Sequence, residues 1–169
     1  MVFSSAIFLF AFLPLTFIGS LLIRQRWAQN AFLTLASLIF YAFGEPVYVF
    51  LMIASAGVNY GFGRGIAAVR GKRMKRLLLV LAVICDLAVL GVFKYAGFAV
   101  TNVNALFGIA LPVPAIRLPV GISFFTFQAM SYVIDVYRNR DMCQKDFMKV
   151  LLYISFFPQL IAGPIVRWN

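Results

Sequence analysis

Four polar residues interrupt the apolar stretch 120–137 at a spacing that can bring them together. They are Gln128, Ser131, Tyr132 and Asp135, at positions i, i+3, i+4 and i+7. On a helix these positions share one face, and polar groups inside a bilayer must find partners. The face either lines a path for substrate or solvent, or forms a hydrogen-bonded seam between helices in which Asp135 pairs with a basic neighbour.

A single carboxylate, Asp86, stands in the middle of the apolar run 77–93. A charge at the centre of a membrane helix costs about 2.5–3.5 kcal/mol on insertion scales. Lys94 lies about 12 Å further along a helix, at 1.5 Å per residue, which is too far for a direct pair. We therefore expect Asp86 to be protonated or paired with another helix, in a structural or a functional role.

The last apolar run, 150–166, ends on Gly163 and Pro164, which are followed by Arg167. Gly-Pro breaks a helix, and irregular backbone at membrane depth is tolerated where protein or a cavity surrounds it. Arg167 either holds a phosphate of a coenzyme or lipid headgroup or anchors the chain at the membrane interface. The same two interpretations apply to Arg138 and Arg140.

The chain contains no histidine. This excludes a Ser-His-Asp triad, an HExxH motif and a His-ligated metal site within these residues. Cys85 and Cys143 lack CxxC spacing, which argues against a metal site or a redox pair. The glycine-rich segment 61–65 follows no strand, so we interpret it as a helix end. We assign no catalytic residue and no metal ligand.

The composition indicates a membrane protein. Hydrophobic residues make up 63% of the chain and charged residues 12%, with a mean hydropathy of +0.96. Soluble domains average about 45–50% apolar and about 25% charged residues. The net charge of +10 comes from basic residues that lie mostly between the apolar runs, and no nucleic-acid-binding motif accompanies them. We expect the lipid bilayer, and not nucleic acid, to be the partner.

Apolar runs near the length of a membrane span predict an all-α, polytopic helix bundle with about six membrane segments. No basic residue precedes the stretch 3–23, and Arg24 and Arg26 follow it, which favours a retained span over a cleaved signal peptide. Pro14 should kink this span. The further runs are 31–43, 47–62, 77–93 continuing past Lys94, 120–137 and 150–166. Runs 31–43 and 47–62 are short, so they extend at their ends or form a tight hairpin.

The basic loops predict the orientation. Arg24, Arg26 and the cluster at 64–76 should face the cytoplasm, which places the N-terminus outside. Residues 96–119 would then lie on the outer side, where an interfacial helix that ends before Pro112 is one expectation. The last run either spans fully, or dips in and returns at Gly163-Pro164 so that Arg167 stays near the cytoplasmic side.

Several sequence blocks, in order along the chain, resemble the N-terminal part of the membrane-bound O-acyltransferase (MBOAT) family. The resemblance covers the whole chain, and it is carried most specifically by the last three blocks. The blocks are MVFSS at 1–5, FYA at 40–42, FKY at 93–95, LPVGISFFTFQ at 118–128, SYVIDVYR at 131–138 and FPQLIAGPIVR at 157–167.

The resemblance implies a fold and a function. Family members form a ring-like helical bundle around a tunnel, and this chain would be a single transmembrane domain over 1–169, truncated relative to the family. It implies an acyl donor such as acetyl-CoA used on the cytoplasmic side, with no bound cofactor. A periplasmic or extracellular acetyltransferase partner would help to pass the acetyl group to alginate or a similar exopolysaccharide. The chain itself would lie in the bacterial inner membrane.

The same resemblance implies that these residues do not suffice for catalysis. The family's histidine lies in a later region, so a C-terminal half or a downstream chain would have to supply it. Asp86, Gln128, Ser131, Tyr132 and Asp135 would line or support the tunnel. Gly163, Pro164 and Arg167 would shape its cytoplasmic mouth, which requires that the last run dips in and returns. The alternative is a non-catalytic membrane scaffold or a small transporter, although we find no internal repeat of the kind many transporters show.

Overall fold

The computed structural model describes residues 6–110, 112–114 and 117–162, with side chains described as far as Leu160. These residues form helices and no β-strand, which confirms the all-α prediction. A π-helical turn, Phe8–Phe12, precedes the first α-helix, and a 3₁₀ turn, Arg140–Met142, follows the fifth. The α-helices are α1 Leu13–Leu22, α2 Arg26–Gly44, α3 Tyr48–Ala68, α4 Lys72–Phe107, α5 Ile122–Arg138, α6 Phe147–Ser155 and α7 Phe157–Ala162.

Helices α2 and α3 form a helical hairpin, and both extend beyond the apolar runs 31–43 and 47–62, so the structure combines the two predicted alternatives. The connection contains Glu45 and Pro46, and α2 ends at Gly44. Proline has no N–H for a helix interior and restricts the residue before it, so the chain turns here. The hairpin brings the two helices side by side in opposite directions.

Helix α4 is about 54 Å long at 1.5 Å per residue, well beyond the roughly 30 Å hydrocarbon core of a bilayer. It runs without a break through Lys94, as predicted. Residues 96–107 belong to this helix, so the expectation of a separate interfacial helix there is wrong, because nothing in that stretch breaks a helix. The helix ends at Gly108, whose φ of 63° is a left-handed conformation that glycine adopts at no steric cost.

Helix α5 lies at the centre of the bundle. It begins after Gly121, which has a φ of 80°, and it packs most extensively against α3 and α4. Its buried side chains include Phe125, Ala129 and Val133, which are fully buried. Helix α6 packs on α2 and α3 and closes the other side. The polar residues of α5 are therefore surrounded by protein on several sides.

The run 150–166 is not one continuous helix in its described part, which corrects the prediction of a single segment. The helix stops at Ser155, and α7 begins at Phe157. Pro158 explains the break, because its ring clashes with the carbonyl four residues earlier and it has no N–H to donate. Pro158 is tolerated in the first turn of α7 because no intrahelical bond is expected of its nitrogen there.

A π-helical turn, Phe8–Phe12, lies immediately before α1 and Pro14, while the predicted kink stays a prediction. A proline ring opposes the carbonyl four residues earlier, which is Phe10 here, and local widening of the helix relieves that contact. Phe8 is buried against Phe40 and Phe157, which fastens this turn to α2 and α7.

One end of the bundle collects most of the basic residues. The Arg140 guanidinium donates to the Val69 carbonyl, so the α3–α4 and α5–α6 loops meet. The Tyr60 hydroxyl donates to the Lys145 carbonyl at 2.8 Å. Sequence-distant basic loops therefore lie together, and Lys72, Arg73 and Arg76 share a cleft with Tyr137 at the same end.

The opposite end is fastened by two tyrosines. The Tyr41 hydroxyl donates to the Val120 carbonyl at 3.0 Å, and the Tyr48 hydroxyl donates to the Arg117 carbonyl at 3.0 Å. Arg117 also lies 3.6 Å from the buried Glu45 carboxylate. These contacts hold the segment before α5 against the α2–α3 hairpin.

Within the described residues, α4 is the one helix that is both long enough and apolar enough to cross a membrane. Phe8–Leu22 and Phe147–Leu160 are apolar but shorter. Apolar side chains on α4 such as Ile84 and Val92 are more than half exposed. An apolar surface of this kind requires cover by lipid or protein. The predicted number of about six segments stays a prediction.

Candidate functional site

The polar face of α5 makes hydrogen bonds to α6 and α7. Gln128 is buried, and its Nε2 donates to Gln159 Oε1 at 2.6 Å and to the Tyr153 carbonyl at 3.3 Å. Ser131, one turn further along, hydrogen-bonds with the Tyr153 side chain, and Asp135 lies close enough to Tyr153 to interact electrostatically. We call these five residues the Gln128 seam.

One carboxylate oxygen of the seam has no partner. Asp135 Oδ2 is buried and makes no hydrogen bond with any described residue. The arginine next along the face, Arg138, is exposed at the end of α5. The described residues contain no ion pair to Asp135, so the expected pairing with a basic neighbour is not found among them.

Tyr132 belongs to a different contact. Its ring packs on the backbone of Gly63 in α3, and its hydroxyl interacts with Cys143 and with the Gln144 main chain. The Cys143 thiol in turn lies 3.6 Å from the Gly63 carbonyl. The four polar residues of the predicted face therefore divide between two neighbours, with Tyr132 facing α3 and the other three facing α6 and α7.

A cleft lies beside the Gln128 seam and shares two of its residues. Its volume is about 330 Å³, and its lining is mostly apolar at Leu33, Leu152 and Phe156. Tyr153 and Gln159 form the wall next to the seam. A second cleft of about 460 Å³ shares Asn30 and Lys149 with the first, so the two are adjacent.

The second cleft is polar and carries cations. Arg26 and Lys149 line it together with Trp27, Gln29 and Asp146. We call the two clefts together the α2–α6 cleft. An apolar interior with a cationic opening suits an amphiphilic molecule with a negatively charged end. Because the chain has no histidine, the cleft can bind and orient such a molecule but offers no imidazole base.

Asp86 has a hydrogen-bond partner on another helix, which is one of its two predicted states, the other being protonation. Asn59 on α3 donates from Nδ2 to Asp86 Oδ1 at 2.8 Å. Both side chains are buried, with exposures of 0% for Asn59 and 4% for Asp86.

Comparison with known proteins identifies the relatives of this chain. It is 42% identical over 175 residues to the probable alginate O-acetylase AlgI of Azotobacter vinelandii, which covers 100% of this chain and 35% of the relative. The probable alginate O-acetylase AlgI of Pseudomonas syringae pv. tomato is also 42% identical over 175 residues, and the alignment covers 33% of that relative. The peptidoglycan O-acetyltransferase of Helicobacter pylori is 35% identical over 196 residues, covering 99% of this chain and 37% of the relative.

The chain is a homologue of these O-acetylases. This confirms the relationship that the sequence blocks indicated. The chain spans about a third of the length of the relatives it matches. No protein-family model matches the chain, and no solved structure matches it.

Three predicted residues of this O-acetylase homologue lie outside the described residues. They are Gly163, Pro164 and Arg167, the predicted cytoplasmic mouth, so their role stays a prediction. The described residues hold no group of three or more Cys, Asp or Glu side chains placed to bind a metal ion.

Sequence reasoning missed several residues of the site. Asn59 stood as an isolated amide within an apolar run, which is the signal that marked Asp86, and it was overlooked. Gln159 carries the same signal, as an isolated amide within the apolar run 150–166, whereas Tyr153 has none, because it is a common interior aromatic. The sequence assigns Arg26 to a basic loop and gives Lys149 no role in a site, and their shared cleft follows from the packing of α6 on α2.

Proposed function

We propose that this chain forms part of a multi-pass membrane O-acetyltransferase that acetylates a bacterial extracellular polysaccharide. The observation that carries the proposal is the 42% identity to an alginate O-acetylase along the full length of the chain. The relatives include a peptidoglycan O-acetyltransferase, so the acceptor class is a carbohydrate polymer, with alginate or a similar exopolysaccharide as the first candidate.

The architecture supports a multi-pass arrangement. Helices α3 and α5 each run between the basic end and the opposite end, and loop contacts place the end of α2 at the opposite end and the start of α4 at the basic end. Basic residues collect on the cytoplasmic side of membrane proteins. We therefore place the 64–76 loop in the cytoplasm and the N-terminus outside, with about six membrane segments in a single domain over 1–169.

The α2–α6 cleft supports a donor on the cytoplasmic side. Its cations, Arg26 and Lys149, lie at the basic end of the bundle and complement the phosphates of a donor such as acetyl-CoA. Its apolar part leads to the Gln128 seam. In this proposal Gln128, Ser131 and Asp135 border the acyl route, while Tyr132 and Asp86 support the wall.

The chain does not supply a histidine, so the proposed reaction needs a general base or acyl acceptor from elsewhere. We propose that it comes from a region corresponding to the remaining two thirds of the relatives' length. Gly163, Pro164 and Arg167 would lie at the cytoplasmic opening. A periplasmic acetyltransferase would receive the acetyl group and pass it to the polymer.

The test is a deletion of the gene in the source organism. Ester-linked acetate would be measured separately on the extracellular polysaccharide and on peptidoglycan. We expect acetate to disappear from the extracellular polysaccharide and to return when the whole gene is restored. Unchanged acetate on both polymers would contradict the proposal and favour a scaffold or transporter, and loss from peptidoglycan alone would correct the acceptor.

A further inference from the structure

The contact between α3 and α4 contains two buried oxygen atoms without hydrogen-bond partners. Asn59 uses both hydrogens of its amide, donating from Nδ2 to the Ser55 carbonyl at 3.0 Å and to Asp86 Oδ1 at 2.8 Å. Asp86 Oδ2 and Asn59 Oδ1 remain, and each is buried without a partner among the described residues. Buried polar atoms are nearly always hydrogen-bonded, so this pair requires an explanation.

A charged carboxylate at this position would also lack a counter-ion. The ion pair in the described residues is between Arg117 and Glu45, at the end of the bundle. None of the charged or titratable side chains on the helices around Asp86 forms an ion pair or a hydrogen bond with it. These side chains are Tyr48, Tyr60 and Arg64 on α3, Tyr132, Asp135, Tyr137 and Arg138 on α5, and Arg76, Cys85 and Lys94 as the nearest on α4.

A single proton resolves both difficulties. A proton on Asp86 Oδ2 removes the buried charge and turns that atom into a donor. Asn59 Oδ1 is the unpartnered acceptor on the same amide that already holds Asp86 Oδ1. We infer that Asp86 and Asn59 form a buried proton-binding site, in which Asp86 is a neutral carboxylic acid that donates to Asn59 Oδ1.

Other occupants fit these atoms less well. Ca²⁺ and Mg²⁺ take about six or more oxygen ligands, and this site offers two free oxygens. A water molecule can donate to both oxygens, but it leaves the negative charge buried without a counter-ion. Buried ionisable groups generally neutralise when no partner is present. The inference does not depend on the acetyltransferase proposal.

Infrared spectroscopy of the full-length protein in lipid nanodiscs at neutral pH tests the site directly. An aqueous aspartic acid, with a pKa of about 3.9, is ionised under these conditions and shows carboxylate bands. We expect the protein to show the C=O stretching band of a protonated carboxylic acid. In a difference spectrum, Asp86→Asn should remove one component of this band, and Asp141→Asn, at an exposed aspartate, should leave the band unchanged.

The overturning result is loss of carboxylate intensity, and not of the carboxylic-acid band, in Asp86→Asn. Thermal unfolding gives an independent check. Asparagine mimics the neutral acid, with a donor in place of the protonated oxygen, so Asp86→Asn should keep the unfolding midpoint while Asp86→Leu lowers it. A midpoint that falls equally in both variants would overturn the inference, because it would show that the carboxylate charge is required.

Discussion

The Tyr132 ring lies directly against the backbone of Gly63. A Cβ atom added at Gly63 would stand 2.7 Å from Tyr132 Cε1 and 2.9 Å from the Tyr132 hydroxyl oxygen. Real Cβ atoms essentially never approach this closely, and Tyr132 is fully buried, so its ring has little room to move. This contact sets the distance between α3 and the central helix α5.

Gly63→Ala should therefore destabilise the protein by about 1–3 kcal/mol, the usual cost of overpacking a core. The matched control is Gly61→Ala on the same helix, where an added Cβ meets nothing within 4 Å. That substitution should be neutral or stabilising by about 0.5–1 kcal/mol, because alanine loses less conformational freedom in a helix. Thermal unfolding in nanodiscs measures both, and equal midpoints would contradict the contact.

The hydrogen bonds that the Tyr41, Tyr48 and Tyr60 hydroxyls donate to backbone carbonyls should contribute differently to stability. Tyr41→Phe removes the hydrogen bond to the Val120 carbonyl and should cost about 1 kcal/mol, because Tyr41 is buried and water replaces the donor poorly. Tyr48→Phe and Tyr60→Phe break bonds that are exposed, so water can take over and the loss should be smaller. Unfolding midpoints of the three variants check this order, and a smallest effect at Tyr41 would contradict it.

The ion pair between Arg117 and the buried Glu45 carboxylate should contribute to the stability of the fold. Arg117→Ala leaves the buried Glu45 carboxylate without its cation, and we expect a loss of about 1 kcal/mol because the arginine itself is largely exposed and screened. Glu45→Gln removes the charge, so the double variant should be no less stable than Glu45→Gln alone. Additive losses in this cycle would show that the two side chains act independently.

The Gln128–Gln159 hydrogen bond should be measurable as a coupling energy. Gln128→Leu, Gln159→Leu and the double variant form a cycle, and contacting residues show interaction energies of about 0.5–3 kcal/mol. Gln29→Leu is the control, because Gln29 bonds to the Ser20 carbonyl and shares no hydrogen bond with Gln128. Its combination with Gln128→Leu should be additive within about 0.5 kcal/mol. Reversible unfolding in detergent micelles gives these energies.

Local sequence signals predicted the helices better than the contacts between them. The α2–α3 hairpin followed from Glu45 and Pro46, and the need of Asp86 for a proton or a partner followed from its apolar surroundings. The sequence did not identify Asn59 as that partner, because helical periodicity does not determine which face of α3 meets α4. The break before Pro158 was missed, because a continuous apolar run was given more weight than the proline.

The division of the α5 face has the same physical origin. Positions 128, 131, 132 and 135 lie on one side of a helix, but that side is wide enough to touch two neighbours. Tyr132 reaches α3 because Gly63 leaves room for its ring, and Gln128 reaches α7 because the chain turns after Ser155. Both conditions arise from packing partners distant in sequence.

The most direct test of the proposed function is the acetyl content of the extracellular polysaccharide in cells that carry Gln128→Leu in the whole gene. Phe127→Leu is the matched control, because Phe127 is the neighbouring residue and its side chain is exposed. Alkali-released acetate would be normalised to polymer and to the protein level in the membrane fraction. We expect Gln128→Leu to lower acetate about tenfold or more, equivalent to about 1.4 kcal/mol of barrier, and Phe127→Leu to leave it unchanged. Normal acetate in Gln128→Leu at normal protein level would contradict the placement of the Gln128 seam on the acyl route.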